Sequence, residues 1–204
     1  ICGHFAQSKN LLNGQTIKTK QLYEGLSLAF GKRYIQIVDT YQWKKKPIRL
    51  LIDSIKLLAQ CENVIILPAH NGIKVFAPLF SLLNKFFKRR LHYVVIGGWL
   101  PKLLKENVRL KRYLSNFDGI YVETNVMISE LKNIGFENIR YLPNFKSLDI
   151  LSRKELEYTT SEPYKLCTFS RVMKEKGIEN AIKTVHEINR RQNRTAYTLD
   201  IYGQ

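Results

Sequence analysis

Two cations follow a strand-like run near the carboxyl end of the chain. The run Lys165–Ser170 is predicted to be a buried strand, and it ends at Arg171. Lys176 comes five residues later, before Gly177 and an amphipathic helix. A guanidinium, an ammonium and the N–H groups of a helix N-terminus at one point suit a pyrophosphate and would stabilise a leaving phosphate. A solvated cationic turn is the alternative, and the spacing does not separate the two.

A second set of candidate ligand-binding residues lies in the first third of the chain. Gly14, in "LLNGQT", either lets the backbone approach a ligand or belongs to a turn that caps a helix. Lys18, one turn further, either reaches the same anion or is solvated. His70 follows an apolar run and is a candidate for substrate contact, although a lone histidine more often has a structural role.

A third group is a basic segment in the middle of the chain. It contains nine cations between Lys85 and Arg112, interleaved with apolar residues and opposed by one acid, Glu106. This combination suits an anionic membrane surface. The alternative is a set of core-packing helices with basic outer faces. The candidate membrane-facing residues are Lys85, Lys88, Arg89, Arg90 and Lys105.

Composition limits the class of protein. The 204 residues are 45% hydrophobic and carry a net charge of +16, which indicates an anionic partner: nucleic acid, lipid head groups or phosphorylated substrates. The three cysteines are widely spaced and are predicted to be small buried residues in a reducing compartment. The longest apolar stretch, Ile73–Phe87, is too short and too interrupted to span a bilayer. These features predict a cytoplasmic protein.

Short apolar runs alternate with helical patterns along most of the chain. Strand-like runs occur at 1–5, 34–40, 63–70, 92–98, 117–124 and 138–144. This alternation predicts an α/β fold with a Rossmann-like, doubly wound parallel sheet over residues 1–145. A polar linker is predicted at 146–163, and strand–helix–strand resumes at 164–204 as the beginning of a second, incomplete unit. In the helix over 48–60, the predicted inner face consists of Leu51, Ile55, Leu58 and Ala59.

Four motifs resemble retaining glycosyltransferases of the family-4 type, which have two Rossmann domains (the GT-B architecture). The strand, Arg171, Lys176, Gly177 and the following helix resemble the start of that family's second domain. "FDGIYVETNVMISELKNIGF" and "ENIRYLPNFKSLD", with Pro143 and Asn144, resemble the end of its first domain. "NLLNGQTIKTKQLYEGL" is similar to the loop and first helix of the enzymes that build bacterial surface or capsular polysaccharides.

The resemblance implies a function. Arg171 and Lys176 would hold the donor diphosphate during catalysis. The residues at the first-domain motifs would contact donor or acceptor: Gly14, Gln15, Thr16, Lys18 and Asn144. His70 lies outside the motifs and is a further candidate for the same contact. The substrates would be a nucleotide sugar and a lipid-linked or polysaccharide acceptor, with no metal or other cofactor and no nucleic acid. The protein would lie peripherally at the inner face of the membrane.

The chain departs from the family pattern in two places. The region "VVIGGWLP" holds glycines and Trp99 where the family often has a catalytic histidine, and the family's paired glutamates do not occur before position 204. We therefore expect residues 1–204 alone to bind nucleotide sugars at most weakly and not to catalyse the transfer of the sugar. The alternative function is a basic Rossmann-like module that binds nucleic acid, although the sequence has no RRM, KH, zinc-finger or P-loop signature.

Overall fold

A computed structural model of the chain describes residues 1–9, 11, 13–146 and 150–203. The chain forms two compact units, Ile1–Ser147 and Leu148–Gln204. Their boundary falls within the predicted linker, whose positions 147–149 lie outside the described residues. Positions 10 and 12 of the glycosyltransferase-like loop motif also lie outside them, as does position 204 at the end of the predicted second unit.

The first unit alternates strands and helices as predicted. Its elements are β1 (Cys2–Gly3), α1 (Gly14–Phe30), β2 (Val38–Asp39), α2 (Pro47–Gln60), β3 (Asn63–Ile66), α3 (His70–Phe87), β4 (Arg90–Val94), α4 (Leu100–Glu106), α5 (Val108–Leu114), β5 (Gly119–Val122), α6 (Asn125–Asn133) and β6 (Ile139–Tyr141). The six strands form one sheet in the order β2-β1-β3-β4-β5-β6, and every neighbouring pair is parallel. The predicted α/β class and Rossmann-like sheet are confirmed.

Strand order determines where a ligand can bind. The chain runs from β1 to β2 on one side and then crosses over to β3 on the other side of β1, so the direction of the connections along the sheet reverses there. In open parallel sheets, ligands bind at the carboxyl ends of the strands near such a reversal. The loops that follow the six strands therefore form the edge on which a site is expected.

Two apolar clusters hold the first unit together. The larger one packs the buried faces of α2, α3, α4 and α5 against the sheet, with Phe76, Phe80 and Tyr93 fully enclosed. The smaller one packs α1 against Leu67 and Val94. Gly3 permits this contact, since a Cβ there would lie only 2.7 Å from Thr19 Cγ2 of α1.

The prediction of which face of α2 is buried is wrong. Leu58 is buried, but Leu51 and Ile55 are 40% and 37% exposed, and Ala59 is exposed. The helix carries apolar residues on two faces, and the face that packs against the core consists of Leu50, Ser54, Leu57 and Leu58. Periodicity alone does not show which of two apolar faces is buried.

The second unit is a single β–α–β element. It contains β7 (Tyr164–Phe169), α7 (Ile178–Gln192) and β8 (Tyr197–Tyr202), with β7 and β8 paired in parallel. The strand prediction for 165–170 is confirmed, but its predicted burial is wrong, since Leu166 is 42% and Phe169 85% exposed. One helix covers at most one face of a two-stranded sheet, which leaves the other face of this unit open.

The cysteines are all free thiols. Cys2 is buried in β1, and burial raises the pKa of its thiol to about 12. Cys61 is half-buried, whereas Cys167 on β7 is exposed, so the prediction of three buried cysteines is wrong for Cys167.

Candidate binding site at the carboxyl edge of the sheet

A cavity of about 440 Å³ opens at the carboxyl edge of the first unit's sheet. Its walls come from the first turns of α1, the loop after β4, the residue after β5 and the segment after β6. The lining residues are Gly14, Ile17, Lys18, Gln21, Ile96, Gly97, Glu123, Asn144, Phe145 and Lys146. Three of the residues predicted for this region, Gly14, Lys18 and Asn144, thus meet in one place.

A buried ion pair forms part of the cavity wall. The Lys18 ammonium donates hydrogen bonds to Glu123 Oε1 at 2.5 Å and to the Val95 carbonyl at 3.1 Å. The two side chains are only 8% and 16% exposed. Lys18 is therefore not solvated, and its charge is already balanced by Glu123, so an anion is not needed to neutralise it.

The ion pair lines the cavity and has hydrogen-bonding capacity that its own contacts do not use. An ammonium has three N–H donors, and two of them are used by Glu123 and Val95. Among the described residues, no hydrogen bond reaches Glu123 Oε2. The pair can thus offer one donor and one acceptor to a ligand, while Ile17, Ile96 and Phe145 supply apolar wall. A neutral hydroxyl both donates and accepts, and it matches this arrangement without adding charge.

The start of α1 is fixed by internal hydrogen bonds. Asn13 caps the helix by accepting from the Thr16 N–H at 2.9 Å, which agrees with the capping interpretation of the "LLNGQT" turn. The buried Thr16 hydroxyl lies 2.8 Å from His4 Nδ1, and Gln15 Nε2 donates to the Leu67 carbonyl at 3.0 Å. Gln15 and Thr16 therefore position α1, whereas Gly14 faces open space on the cavity side.

His70 lies at the same edge of the sheet but is not among the residues that line the cavity. It is the first residue of α3 and is exposed. Its ring packs edge-on against Trp99, with 5.0 Å between ring centroids, and Trp99 Nε1 donates to the Ile96 carbonyl at 2.7 Å. His70 and Trp99 thus form a partly exposed aromatic pair at the loop after β4.

Asp39 organises the loop that follows β1. Its carboxylate accepts from the backbone N–H groups of Phe5 at 3.0 Å, Ala6 at 3.2 Å and Gln7 at 3.1 Å, and from that of Tyr41 at 2.9 Å. Ala6 has a φ of 49°, in the left-handed region. Three successive N–H groups that converge on one point form an anion-binding concavity, and here the anion is an internal carboxylate.

A second cavity, of about 580 Å³, runs along the unpaired edge of β2. One wall is formed by residues 36–39, and the other by Lys46 and the side of α2 that carries Arg49 and Lys56. None of the predicted site residues, Lys18 included, is among the residues that line it.

The candidate membrane-facing residues of the basic segment lie in different surroundings. Arg89 donates to the Leu58 and Ala59 carbonyls at 2.9 and 3.3 Å, so it caps the carboxyl end of α2. Lys88 and Arg90 flank it at the start of β4, which is the amino edge of the sheet. Lys85 and Lys105 are exposed on α3 and α4. The five residues thus lie on or beside three elements, α3, β4 and α4.

Arg171 and Lys176 lie where the sequence predicted, between β7 and α7. Both are exposed, and among the described residues neither takes part in an ion pair. The turn Lys174–Lys176 ends at Gly177, whose φ of 72° is in the left-handed region, and α7 begins at Ile178. The two cations thus follow the carboxyl end of a parallel strand and precede a helix of 15 residues.

Comparison with family models, with curated proteins and with solved structures found no match. Within the described residues, no helix is long and apolar enough to cross a membrane. The same part of the chain has no group of three or more His, Cys, Asp or Glu residues that would hold a metal ion.

The sequence did not single out Glu123, Phe145 or Asp39. Glu123 and Asp39 share a detectable signal, since each is an acid at the end of a short apolar strand run. Phe145 carries no such signal, because it belongs to an irregular segment whose position depends on β6.

Proposed function

We propose that the chain belongs to a two-domain glycosyltransferase that moves a sugar from a nucleotide-sugar donor to a lipid-linked or polysaccharide acceptor. In this proposal the first unit binds the acceptor and the second unit begins the donor domain. The polysaccharide is of the surface or capsular kind that the resemblance of "NLLNGQTIKTKQLYEGL" implies.

The observation that carries the proposal is the cavity at the carboxyl edge of the first unit. It combines a charge-neutral hydrogen-bonding pair, Lys18 and Glu123, with the apolar side chains Ile17, Ile96 and Phe145. A sugar has hydroxyl groups that donate and accept, as well as apolar C–H faces. Both properties of the cavity therefore favour a sugar over a free phosphate as its ligand.

The second unit supports the donor half of the proposal. Arg171 and Lys176 are accessible cations near the N-terminus of α7, and this arrangement suits the diphosphate of a nucleotide sugar. In the reaction they would stabilise the charge that develops on the leaving diphosphate. The acceptor hydroxyl would attack the anomeric carbon, and the bond from that carbon to the diphosphate oxygen would break.

Calorimetric titration of the 204-residue chain with a panel of nucleotide sugars tests the donor half. We expect weak, salt-sensitive binding that the Arg171→Ala and Lys176→Ala variants reduce about tenfold, the effect of losing one charged hydrogen bond. Lys165→Ala removes an exposed cation from β7 in the same unit and serves as the matched control.

Three results would contradict the proposal. They are the absence of binding by any nucleotide sugar, equal losses in Lys165→Ala and Arg171→Ala, and tighter binding of DNA or RNA with a steep salt dependence. The last of these would favour the nucleic-acid module instead.

A further inference from the structure

The outer edge of β2 carries main-chain groups that are not used within the sheet. β2 pairs with β1 on one side only. The Val38 N–H donates to the Ile1 carbonyl at 2.8 Å, so the main-chain groups of Val38 point toward β1. Because successive residues of a strand direct these groups to opposite sides, those of Ile37 and Asp39 point outward. Within the described residues they form no hydrogen bond, which leaves two donors and two acceptors along this edge.

A groove lies between this edge and α2. It is the cavity of about 580 Å³ that has residues 36–39 on one side and Lys46, Arg49 and Lys56 on the other, and we call it the β2–α2 groove. Leu50 and Leu57 of α2 also belong to its lining. An exposed strand edge binds extended peptides by taking them into the sheet as a further strand, and side-chain contacts beside the edge select the sequence.

The charges of the groove favour an acidic ligand. Lys46 and Lys56 are exposed, and among the described residues neither takes part in an ion pair. The two acids of the lining are compensated within the protein. Asp53 pairs with Arg49 at 3.5 Å, and the Asp39 carboxylate accepts from four backbone N–H groups. The groove thus presents two cations whose charge an incoming carboxylate would balance.

We propose that the β2–α2 groove binds an acidic, extended segment of a partner protein, which joins the sheet as a strand beside β2. The main chain of the segment bonds to Ile37 and Asp39, and its carboxylates contact Lys46 and Lys56. Alternate side chains of a strand share one face, so a segment in which acidic residues alternate with apolar ones fits the groove. A free polyanion would contact the lysines alone, whereas a peptide uses both walls.

Charge also disfavours a second copy of the chain as the ligand, because two molecules of net charge +16 repel each other. The inference goes beyond sugar transfer and does not depend on it, since none of the predicted site residues lines the groove. Peptide binding is measured without donor or acceptor. Its failure would leave the glycosyltransferase proposal standing, and failure of that proposal would leave the groove in place.

Fluorescence anisotropy of a labelled heptapeptide in which Glu and Val alternate, titrated with the 204-residue chain, tests the inference. We expect saturable binding that Lys46→Glu with Lys56→Glu weakens at least about tenfold. The matched control, Lys102→Glu with Lys132→Glu, makes the same change in net charge at exposed lysines of α4 and α6. It should bind within about threefold of the parent chain, with circular dichroism confirming the fold of each variant.

Two measurements separate strand addition from charge attraction. A peptide that is N-methylated at every residue keeps its charge but cannot pair as a strand, and it should bind at least about tenfold more weakly. Saturation with the unmethylated peptide should slow amide hydrogen exchange at Ile37 and Asp39. The inference is overturned if the parent does not bind the peptide, if the control variant loses as much affinity as the groove variant, if both peptides bind equally, or if exchange at these two amides is unchanged.

Discussion

Lys18 connects three parts of the first unit through one ammonium group. It belongs to α1 and bonds to Val95 after β4 and to Glu123 after β5. The partner Glu123 is 105 positions away along the chain, so no local spacing in the sequence could reveal the pair. The sequence did place Lys18 and Asn144 at the right edge of the sheet, because both follow recognisable strand or helix signals.

Replacing Lys18 by methionine should destabilise the first unit. The substitution keeps most of the side-chain volume and leaves the Glu123 carboxylate buried without its partner. Breaking a buried ion pair in this way costs about 3–5 kcal/mol. Urea unfolding followed by circular dichroism would measure the change in the free energy of unfolding.

Two further variants separate the ion pair from packing. Lys18→Met with Glu123→Leu should recover most of the lost stability, since no unpaired charge remains. Lys20→Met, on the same helix, should change the free energy of unfolding by less than about 1 kcal/mol. Equal effects of Lys18→Met and Lys20→Met would show that the ion pair does not contribute to stability.

The extents of the strands depend on pairing between distant segments. The run 34–40 reads as a seven-residue strand, yet only Val38–Asp39 pairs, because within the described residues β1 is the only strand beside it and offers two residues. The inner face of α2 was likewise misassigned because both of its apolar faces have helical spacing. The existence and order of elements follow from local periodicity, whereas their ends and buried faces follow from neighbours that periodicity does not specify.

Replacing Asp39 by alanine should loosen the loop between β1 and α1. Four backbone N–H groups would lose the carboxylate as acceptor, three of them consecutive in Phe5–Gln7, and of these Phe5 would keep its hydrogen bond to the Gly3 carbonyl. We expect faster amide hydrogen exchange at these three residues and a loss of about 1–3 kcal/mol in the free energy of unfolding. Asp53→Ala, which removes a carboxylate from the α2 surface, should leave exchange in this loop unchanged. Unaltered exchange in Asp39→Ala would contradict the anchoring role.

The buried apolar residues are distributed unevenly between the two units. In the described part of the second unit, only Ile178 and Ala196 are buried hydrophobic residues, whereas the first unit contains both apolar clusters. A chain segment without a core cannot compensate for the conformational entropy that it loses on folding.

The two units should therefore behave differently when produced separately. Residues 1–146 should fold alone, with a cooperative thermal transition, because they contain the complete six-stranded sheet and its helices. Residues 150–203 should be disordered alone, as shown by random-coil amide shifts and rapid proteolysis. A dispersed, protease-resistant second unit would show that β7, α7 and β8 are sufficient for folding.

The two edge strands of the six-stranded sheet, β2 and β6, are short. The outer strand β2 has two residues, and its open edge lines a cavity with Lys46 and with Arg49 and Lys56 of α2. The opposite strand β6 has three residues and carries the exposed Arg140. Open strand edges are the usual template for amyloid-like stacking, and short strands bordered by cations resist it. Since like charges repel less at high ionic strength, salt weakens that protection. The short edge strands and the cations beside them therefore protect the protein from aggregation best at low ionic strength, where these cations repel those of another molecule most strongly.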